Sequence, residues 1–352
     1  MRNLAPLSVA VSVGLIASAC GGDATRNDVV AIDTSELAPV TITLVTHDSF
    51  VVSDGIFEAF TAETGVTVDV VSGGDAGEIV SRAVLTAGDP EGDVMFGIDN
   101  TFLQRGLDAD LFVPYESPTL ADVPDELELD DEHRVTPIDV SDVCVNYWTD
   151  QLDGPPPASL EDLTGYADTF VTMNPESSSP GFAFLLATIA RFGEDGWEDY
   201  WQGLVDGGLR VTSGWSEAYY GEFIAGGGDA AIVTSYASSP PAEVIFADPP
   251  VGTAPTGVLT DSCFRQIEFA GVLAGTEHPN EAAALVDFML SPTFQADVPL
   301  NMFVYPANET VELPKEFVEF GPLVDDPITL TPAEIEAGRL DWTQRWTEIV
   351  LS

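Results

Sequence analysis

Residues 40–46, VTITLVT, form a run of β-branched and aliphatic side chains that predicts a strand. HDSF follows at 47–50, and then Ile56, Phe57 and Phe60 recur on one helical face until Gly65 stops the helix. The same order repeats twice. A strand at 66–71 leads through the turn Ser72-Gly73-Gly74-Asp75 into a helix from 76 to 87. A strand at 93–98 then ends in Asp99-Asn100, with Asn100 placed to cap a helix over TFLQRGLDADLF at 101–112. Strand and helix in alternation predict an α/β chain with a mainly parallel sheet. The loops at the carboxyl ends of these three strands carry His47, Asp48, Asp75 and Asp99, and that edge is where open α/β sheets bind ligands.

Outward from this unit, VSDVCVNYW at 140–148 and a proline-rich turn at 154–157 open a second block. It holds predicted strands FVTMNP (170–175), LRVTSGW (209–215) and AAIVTSYASSP (230–240). Between the first two lies SSSPGFAFLLATIARF (177–192), apolar nearly all round from 181 onward, which predicts a buried helix too short to cross a bilayer. SCFRQIEFAGVL (262–273) reads as a strand returning to the first block. Ala282, Leu285, Val286, Met289 and Leu290 then keep helical spacing, and Thr331-Pro332-Ala333-Glu334 opens a last helix with a cap, a first-turn proline and a capping-box glutamate. A chain that leaves one block and comes back to it implies two lobes, 40–139 with 266–352 and 140–265, with a ligand cleft between them that closes about a hinge.

The first twenty residues, MRNLAPLSVAVSVGLIASAC, carry Arg2 and then an apolar run too short for a membrane span, the pattern of an export signal. Ala17-Ser18-Ala19-Cys20 resembles a bacterial lipobox, which implies lipid on Cys20, an anchor on the outer face of the cell membrane, and a polar tether over 21–39; the alternative is a plain secretory signal cleaved nearby, which leaves the protein periplasmic. In the 352-residue chain, 59 Asp and Glu stand against 11 Lys and Arg, a formal net charge of -48. That balance excludes binding nucleic acid through phosphate neutralisation; its field attracts cations and repels anions. With Cys20 assigned to the anchor, Cys144 and Cys263 are an even pair in an oxidising compartment, either a disulfide or two buried thiols.

Several short motifs occur in order from about residue 43 to 350: Thr46-His47-Asp48-Ser49-Phe50, Phe96-Gly97-Ile98-Asp99-Asn100, Ser178-Ser179-Pro180-Gly181, Ser213-Gly214-Trp215-Ser216-Glu217-Ala218-Tyr219, Ser235-Tyr236 with Ser238-Ser239-Pro240, and Val304-Tyr305-Pro306. Together with the closing TPAE helix they make the chain similar to the thiamine-binding proteins of bacterial ABC importers, within the two-lobed solute binders that also include iron and spermidine binders. The resemblance implies a monomeric, non-enzymatic carrier without cofactor or resident metal, partnered by importer permease subunits. It also implies a ligand, thiamine or a thiamine phosphate, held by His47, Asp48, Asp75, Asp99, Ser178, Trp215, Tyr219, Tyr236 and Phe303. His47 stands where the family often has a stacking tyrosine, Phe303 where it has tryptophan, and Ala242 where some members have another tyrosine; Trp215, Asp75 and Ser178 match.

The chemistry of those residues is coherent by itself. A thiazolium cation joined to a flat aminopyrimidine needs aromatic faces and carboxylates. Trp215 and Phe303 supply the first and Asp75 and Asp99 the second, while the 177–181 turn offers hydroxyls and free N–H groups to a hydroxyl or phosphate tail. The competing reading is a ferric-ion or other small-cation binder built on Tyr219-Tyr220, His47 and nearby acids. An enzyme is disfavoured: Gly214-Trp215-Ser216-Glu217-Ala218 begins a nucleophile elbow but has alanine where the motif needs its second glycine, and no P-loop, zinc-helix pair or dinucleotide fingerprint is present.

Overall fold

A computed structural model describes residues 32–322 and 324–352. The export signal and Cys20 lie outside the described residues, as does the tether up to residue 31. Among the described residues, nine strands build one sheet: β1 (Thr41–Thr46), β2 (Thr67–Ser72), β3 (Val94–Asp99), β4 (Thr136–Trp148), β5 (Phe170–Met173), β6 (Arg210–Thr212), β7 (Ile232–Tyr236), β8 (Thr256–Val272) and β9 (Tyr305–Pro306). Their order is β2-β1-β3-β8-β4-β7-β5-β6, with β9 added alongside β4. At one end β1 pairs in parallel with β2 and β3; at the other, β5 pairs in parallel with β6 and β7. Between them the long β4 and β8 run antiparallel from Thr136 opposite Ala270 to Trp148 opposite Thr256, and both lobes share them. A strand that serves two lobes must bend, and the β4/β8 ladder slips register at Pro137/Asp139 and again at Val143/Val145, as bulges do. Cys144 and Cys263 meet at the second slip as a disulfide with S–S 2.00 Å.

This topology aims the two parallel ends at one place. Asp99 at the carboxyl end of β3 lies opposite Glu268, and Tyr236 at the carboxyl end of β7 lies opposite Val143, so both ends converge on the middle of β8 and β4. Such a convergence of strand ends is where α/β sheets leave a crevice.

The flanking helices are α1 (Ile56–Thr64), α2 (Ala76–Leu85), α3 (Leu103–Asp108), α4 (Ser179–Phe192), α5 (Trp197–Gly207), α6 (Trp215–Glu217), α7 (Ser239–Ile245), α8 (Pro279–Leu290), α9 (Pro292–Gln295), α10 (Val298–Asn301), α11 (Lys315–Phe320) and α12 (Pro332–Val350). The all-round apolar helix is α4: every residue from Ser179 to Ile189 is buried against β4, β5, β7 and β8. Each of its Phe, Leu and Ile side chains gains about 1.5–3 kcal/mol by leaving water. Ser178 caps this helix, accepting from Gly181 N at 3.4 Å. The predicted capping box of α12 is present, with Thr331 and Glu334 bonded reciprocally. From α12 the buried Arg339 guanidinium lies between the rings of Phe102 and Phe182, 4.1 and 4.2 Å from their centroids, and so ties the entry of α3 to α4. No helix among the described residues is long and apolar enough to cross a membrane.

Two local readings are corrected. The strand at 209–215 ends at Thr212, because Thr212 Oγ1 turns back to Gly214 O and α6 starts at Trp215; the indole therefore stands at a helix start and not at a strand end. Asn100 does not cap α3. Its side chain bonds Arg265 O and Ile267 N on β8, and Asp99 Oδ1 instead accepts from Thr101 N at 3.0 Å and Phe102 N at 3.2 Å. The helix expected over 101–112 is accordingly short.

Candidate ligand-binding cleft

Two adjoining chambers, about 370 and 220 Å³, open where the strand ends converge, and together they reach the size of small-molecule sites. Trp215, Tyr220, Tyr236, Met302 and Phe303 line both. Larger hollows of about 570 and 510 Å³ flank Val324; the first has no aromatic lining residue and the second has Tyr305 and Phe317 alone.

The larger chamber is aromatic. Trp215 Nε1 donates to Ser235 Oγ at 3.0 Å, which fixes the indole; Tyr219 stacks on it with centroids 4.9 Å apart and planes at 20°, and Tyr236 tilts against it at 5.9 Å. From the other lobe comes Phe303, edge to face with Phe246 at 5.1 Å. Phe303 has φ of 60°, the left-handed region, in the turn after α10. A bulky residue held there costs on the order of 1–3 kcal/mol, and such strain is kept where a side chain must be aimed. Glu243, one helical step from Ala242, is the carboxylate of this chamber; its Oε1 accepts from Tyr219 Oη at 2.5 Å. Burial raises the Glu243 pKa, and the Tyr219 bond partly offsets this. The phenol of Tyr219 is held well above its usual value by burial and then by the Glu243 charge, so it serves as a donor.

The smaller chamber is polar. His47 Nδ1 lies 2.9 Å from Ser49 Oγ, and Nε2 faces Glu268 at 3.6 Å without a hydrogen-bond partner. A side chain at Gly97, with φ of 96°, would collide with the imidazole, so that glycine is what lets His47 fold inward. Burial lowers the His47 pKa, but the Glu268 carboxylate, helped by Asp75 and Asp48, outweighs burial and raises it above the ordinary value. Asp48 is exposed at the rim, with Ser216 Oγ donating to it at 3.4 Å.

Three of the residues singled out from sequence do not line the chambers. Asp75 lies behind Trp215: Oδ1 accepts from Ala76 N at 2.6 Å and Ser179 N at 3.3 Å, and Oδ2 accepts from Trp215 N at 2.9 Å. It thus caps α2 while bonding the starts of α4 and α6 in the opposite lobe. Burial raises its pKa and the N–H bonds oppose the rise. Asp99 is fully buried, accepts from Ser179 Oγ, and is pushed up to about 6 by burial, against the hydrogen bonds from Ser179 and Thr101. Ser178 caps its own helix and its side chain also bonds Asp75. The structure gathers His47, Asp48, Trp215, Tyr219, Tyr236 and Phe303 around one cleft, and it adds Glu243, Glu268 and Phe246. Ser239, Ala242, Glu243 and Phe246 keep the i, i+3, i+4, i+7 spacing of one helix face, a signal present in the sequence. Glu268, a charge amid Ile267, Phe269 and Ala270, carried another.

Comparison with known proteins agrees with this geometry. A thiamine-binding periplasmic protein of Escherichia coli is 29% identical over 317 residues, 88% of this chain and 93% of its own. A solved periplasmic thiamin binding protein superposes with TM-score 0.76 at 28% identity, covering 88% of this chain and 96% of that one. A ferric binding protein from Campylobacter jejuni, TM-score 0.71 at 18% identity over 88% and 99% of the two chains, shares the fold. The model of the bacterial extracellular solute-binding protein family matches residues 55–323, most of the chain, and the chain belongs to that family.

Proposed function

We propose that the cleft captures thiamine, a flat organic cation, and that the closed protein delivers it to the permease subunits of an ABC importer. The observation that carries this reading is the pairing of aromatic faces from both lobes, Trp215 stacked on Tyr219 against Phe303 with Phe246, with the Glu243 carboxylate in the same chamber. A desolvated cation over such rings gains about 2 kcal/mol or more, and a carboxylate adds charge and a partner for the pyrimidine amino group. The thiamine-binding names of the relatives support the same ligand. His47 in place of an aromatic phenol and Ala242 in place of a larger ring are compatible with it, since Phe246 and Phe303 fill that side.

In this reading the lobe of 40–139 with 266–352 and the lobe of 140–265 close on the ligand, and the ligand's preference for the closed form drives the shift. The Asp75 bonds to the Ser179 and Trp215 amides join the two lobes beside the cleft. The protein acts outside the cytoplasm as a monomeric carrier without catalysis, held to the membrane through lipid on Cys20. Intact-mass measurement of membrane-extracted protein checks the anchor: a diacylglyceryl Cys20 is expected, and an unmodified cysteine or cleavage elsewhere rejects it. For the ligand, calorimetric titration with thiamine is expected to give saturable, submicromolar binding with quenching of tryptophan fluorescence. Absence of heat and of quenching, together with a coloured complex on ferric loading, would replace the ligand with iron.

A further inference from the structure

Glu268 lines the polar chamber from the middle of β8, and the strands on both sides of it are bulged there. On β3 the ladder slips between Phe96 and Ile98, which sets Asp99 opposite Glu268; on β4 it slips between Pro137 and Asp139, which sets Asp139 opposite the same residue. In unbroken ladders Ile98 and Ile138 would stand in those places. The β4 bulge is fastened, since Ile138 O accepts from Ala307 N and from Gln295 Nε2. Bulges re-aim side chains, and these two bring three acids into one row across β3, β8 and β4, where like charges directly opposite one another are destabilising. All three are buried, and among the described residues no lysine or arginine pairs with any of them; their ion pair is His47 with Glu268 at 3.6 Å. Asp99 is satisfied by Ser179 Oγ and the Thr101 and Phe102 amides. Asp139 is not. Its Oδ2 meets no N–H or hydroxyl donor, its neighbour on β9 is Pro306, and the group within its hydrogen-bonding reach is Glu268.

We propose that Asp139 is a positioning residue of the cleft: it stays protonated at neutral pH, donates that hydrogen to Glu268, and so presents Glu268 to the polar chamber as one oriented carboxylate for a donor group of the bound cation. This rests on the thiamine reading above. Two carboxyl groups sharing a buried site do not both ionise, and the proton stays on the one with less help from outside. Glu268 has His47 beside it and Gln266 Nε2 at 3.4 Å; Asp139 has neither. Burial first, then the Glu268 and Asp99 charges, holds the Asp139 carboxyl well above the usual range. Asp139 itself lines neither chamber and acts through Glu268.

The test begins with infrared difference spectroscopy of the purified protein at about pH 7.5, where a protonated carboxylic acid is read by its deuterium-sensitive C=O stretch. The wild type is expected to show a buried-acid band that Asp139→Asn removes, since the amide keeps an N–H donor toward Glu268 and has no acid proton. A wild type without such a band, or a folded Asp139→Asn that keeps it, overturns the proposal. If that variant does not fold, Glu268→Gln decides: an amide is a weaker acceptor than a carboxylate, so the band is expected to move to higher frequency, and an unmoved band overturns the proposal. Calorimetric titration with thiamine then separates positioning from structure. Asp139→Ala, which takes the donor from Glu268, is expected to weaken binding about tenfold, and Asp139→Asn to restore it to within about threefold of the wild type. Equal losses in the two variants, or no loss in either, overturn the positioning role. A wild type that shows the band and binds no thiamine overturns the thiamine reading, and the positioning role with it, while the proton between Asp139 and Glu268 stands.

Discussion

The aromatic chamber and the contact packed behind it share Trp215, yet they use carboxylates in opposite ways. In the chamber, Glu243 spends one oxygen on the Tyr219 phenol and its side chain still faces open space. Behind the indole, Asp75 spends both oxygens on backbone N–H groups from three helix starts and lines neither chamber. Asp75 is a buried acid at a helix start and Glu243 a half-buried acid within a helix, and both pack beside Trp215, so residue type does not tell them apart. What separates them is whether the backbone has already satisfied the carboxylate. A satisfied acid holds the protein together; a partly satisfied one can receive a ligand.

That contrast is most exposed to Asp75→Ala. The substitution leaves the Ala76, Ser179 and Trp215 amides buried without an acceptor, and each orphaned donor costs about 1–3 kcal/mol. A loss of about 3–5 kcal/mol in the free energy of urea unfolding is expected. Glu243→Ala, by comparison, is expected to stay within about 1 kcal/mol, since it frees one phenol beside open space. Equal losses in the two variants would erase the distinction between the regions. Next in size is Trp215→Ala, which removes the stacking face and is expected to weaken thiamine about 100-fold, close to 2.7 kcal/mol, in calorimetric titration. Retention of near-native affinity would place the ligand outside this chamber.

Asp99 extends the comparison to a fully enclosed acid. Its pKa is about 6 in the folded chain and near 3.8 when exposed. Between those values the folded state holds the proton more tightly, so the contribution of this group to stability is fully present below the unfolded pKa and is lost as pH rises through the folded one. Asp99→Asn keeps the cap on Thr101 and Phe102 and carries no charge. From pH 4 to pH 7 its unfolding free energy, relative to the wild type, is expected to improve by about 2 kcal/mol. A constant difference across that range would mean that Asp99 does not carry the proton the burial demands.

Much of this was legible in the sequence, and the misses share one cause. The runs at 40–46 and 93–98 became β1 and β3, inside the sheet, the run at 66–71 became the exposed edge strand β2, since β-branched runs suit extended backbone in both places, and the apolar stretch after Ser178 became α4 because nothing on it needs water. Trp215, Tyr219 and Tyr236, from their motifs, and Phe303, from the position where the family has tryptophan, line the cleft. Asp48 reached the rim of the cleft, whereas Asp75 and Asp99 lie outside the chamber lining. An aspartate at the carboxyl end of a strand is also an aspartate at the start of the next helix, and which role wins depends on amides contributed from far along the chain, as Ser179 and Trp215 do for Asp75. Glu243 and Glu268 escaped because one sits in the middle of a helix and the other in the middle of a strand, and only the tertiary fold turns both toward the same space.

The smallest expected effect also discriminates between the chambers. His47 gains a proton at a pH above the ordinary 6.5, since Glu268, with Asp75 and Asp48, outweighs the effect of burial. A protonated ring in the polar chamber repels a cation arriving in the aromatic one, so ligand and proton compete. The sign follows from linkage: affinity is lowest where His47 is charged and rises as pH climbs through its folded pKa, with a proton released on binding. A gain of about threefold between pH 6 and pH 8 is expected, small because Glu268 already neutralises most of the charge. Titration in two buffers of different ionisation enthalpy reports the released proton directly, and His47→Gln should abolish both the release and the slope. If the slope survives in that variant, the titrating group belongs to the other chamber, where burial raises the Glu243 pKa. The affinity would then rise with pH because Glu243 ionises, and replacing it with glutamine would remove the slope that His47→Gln left in place.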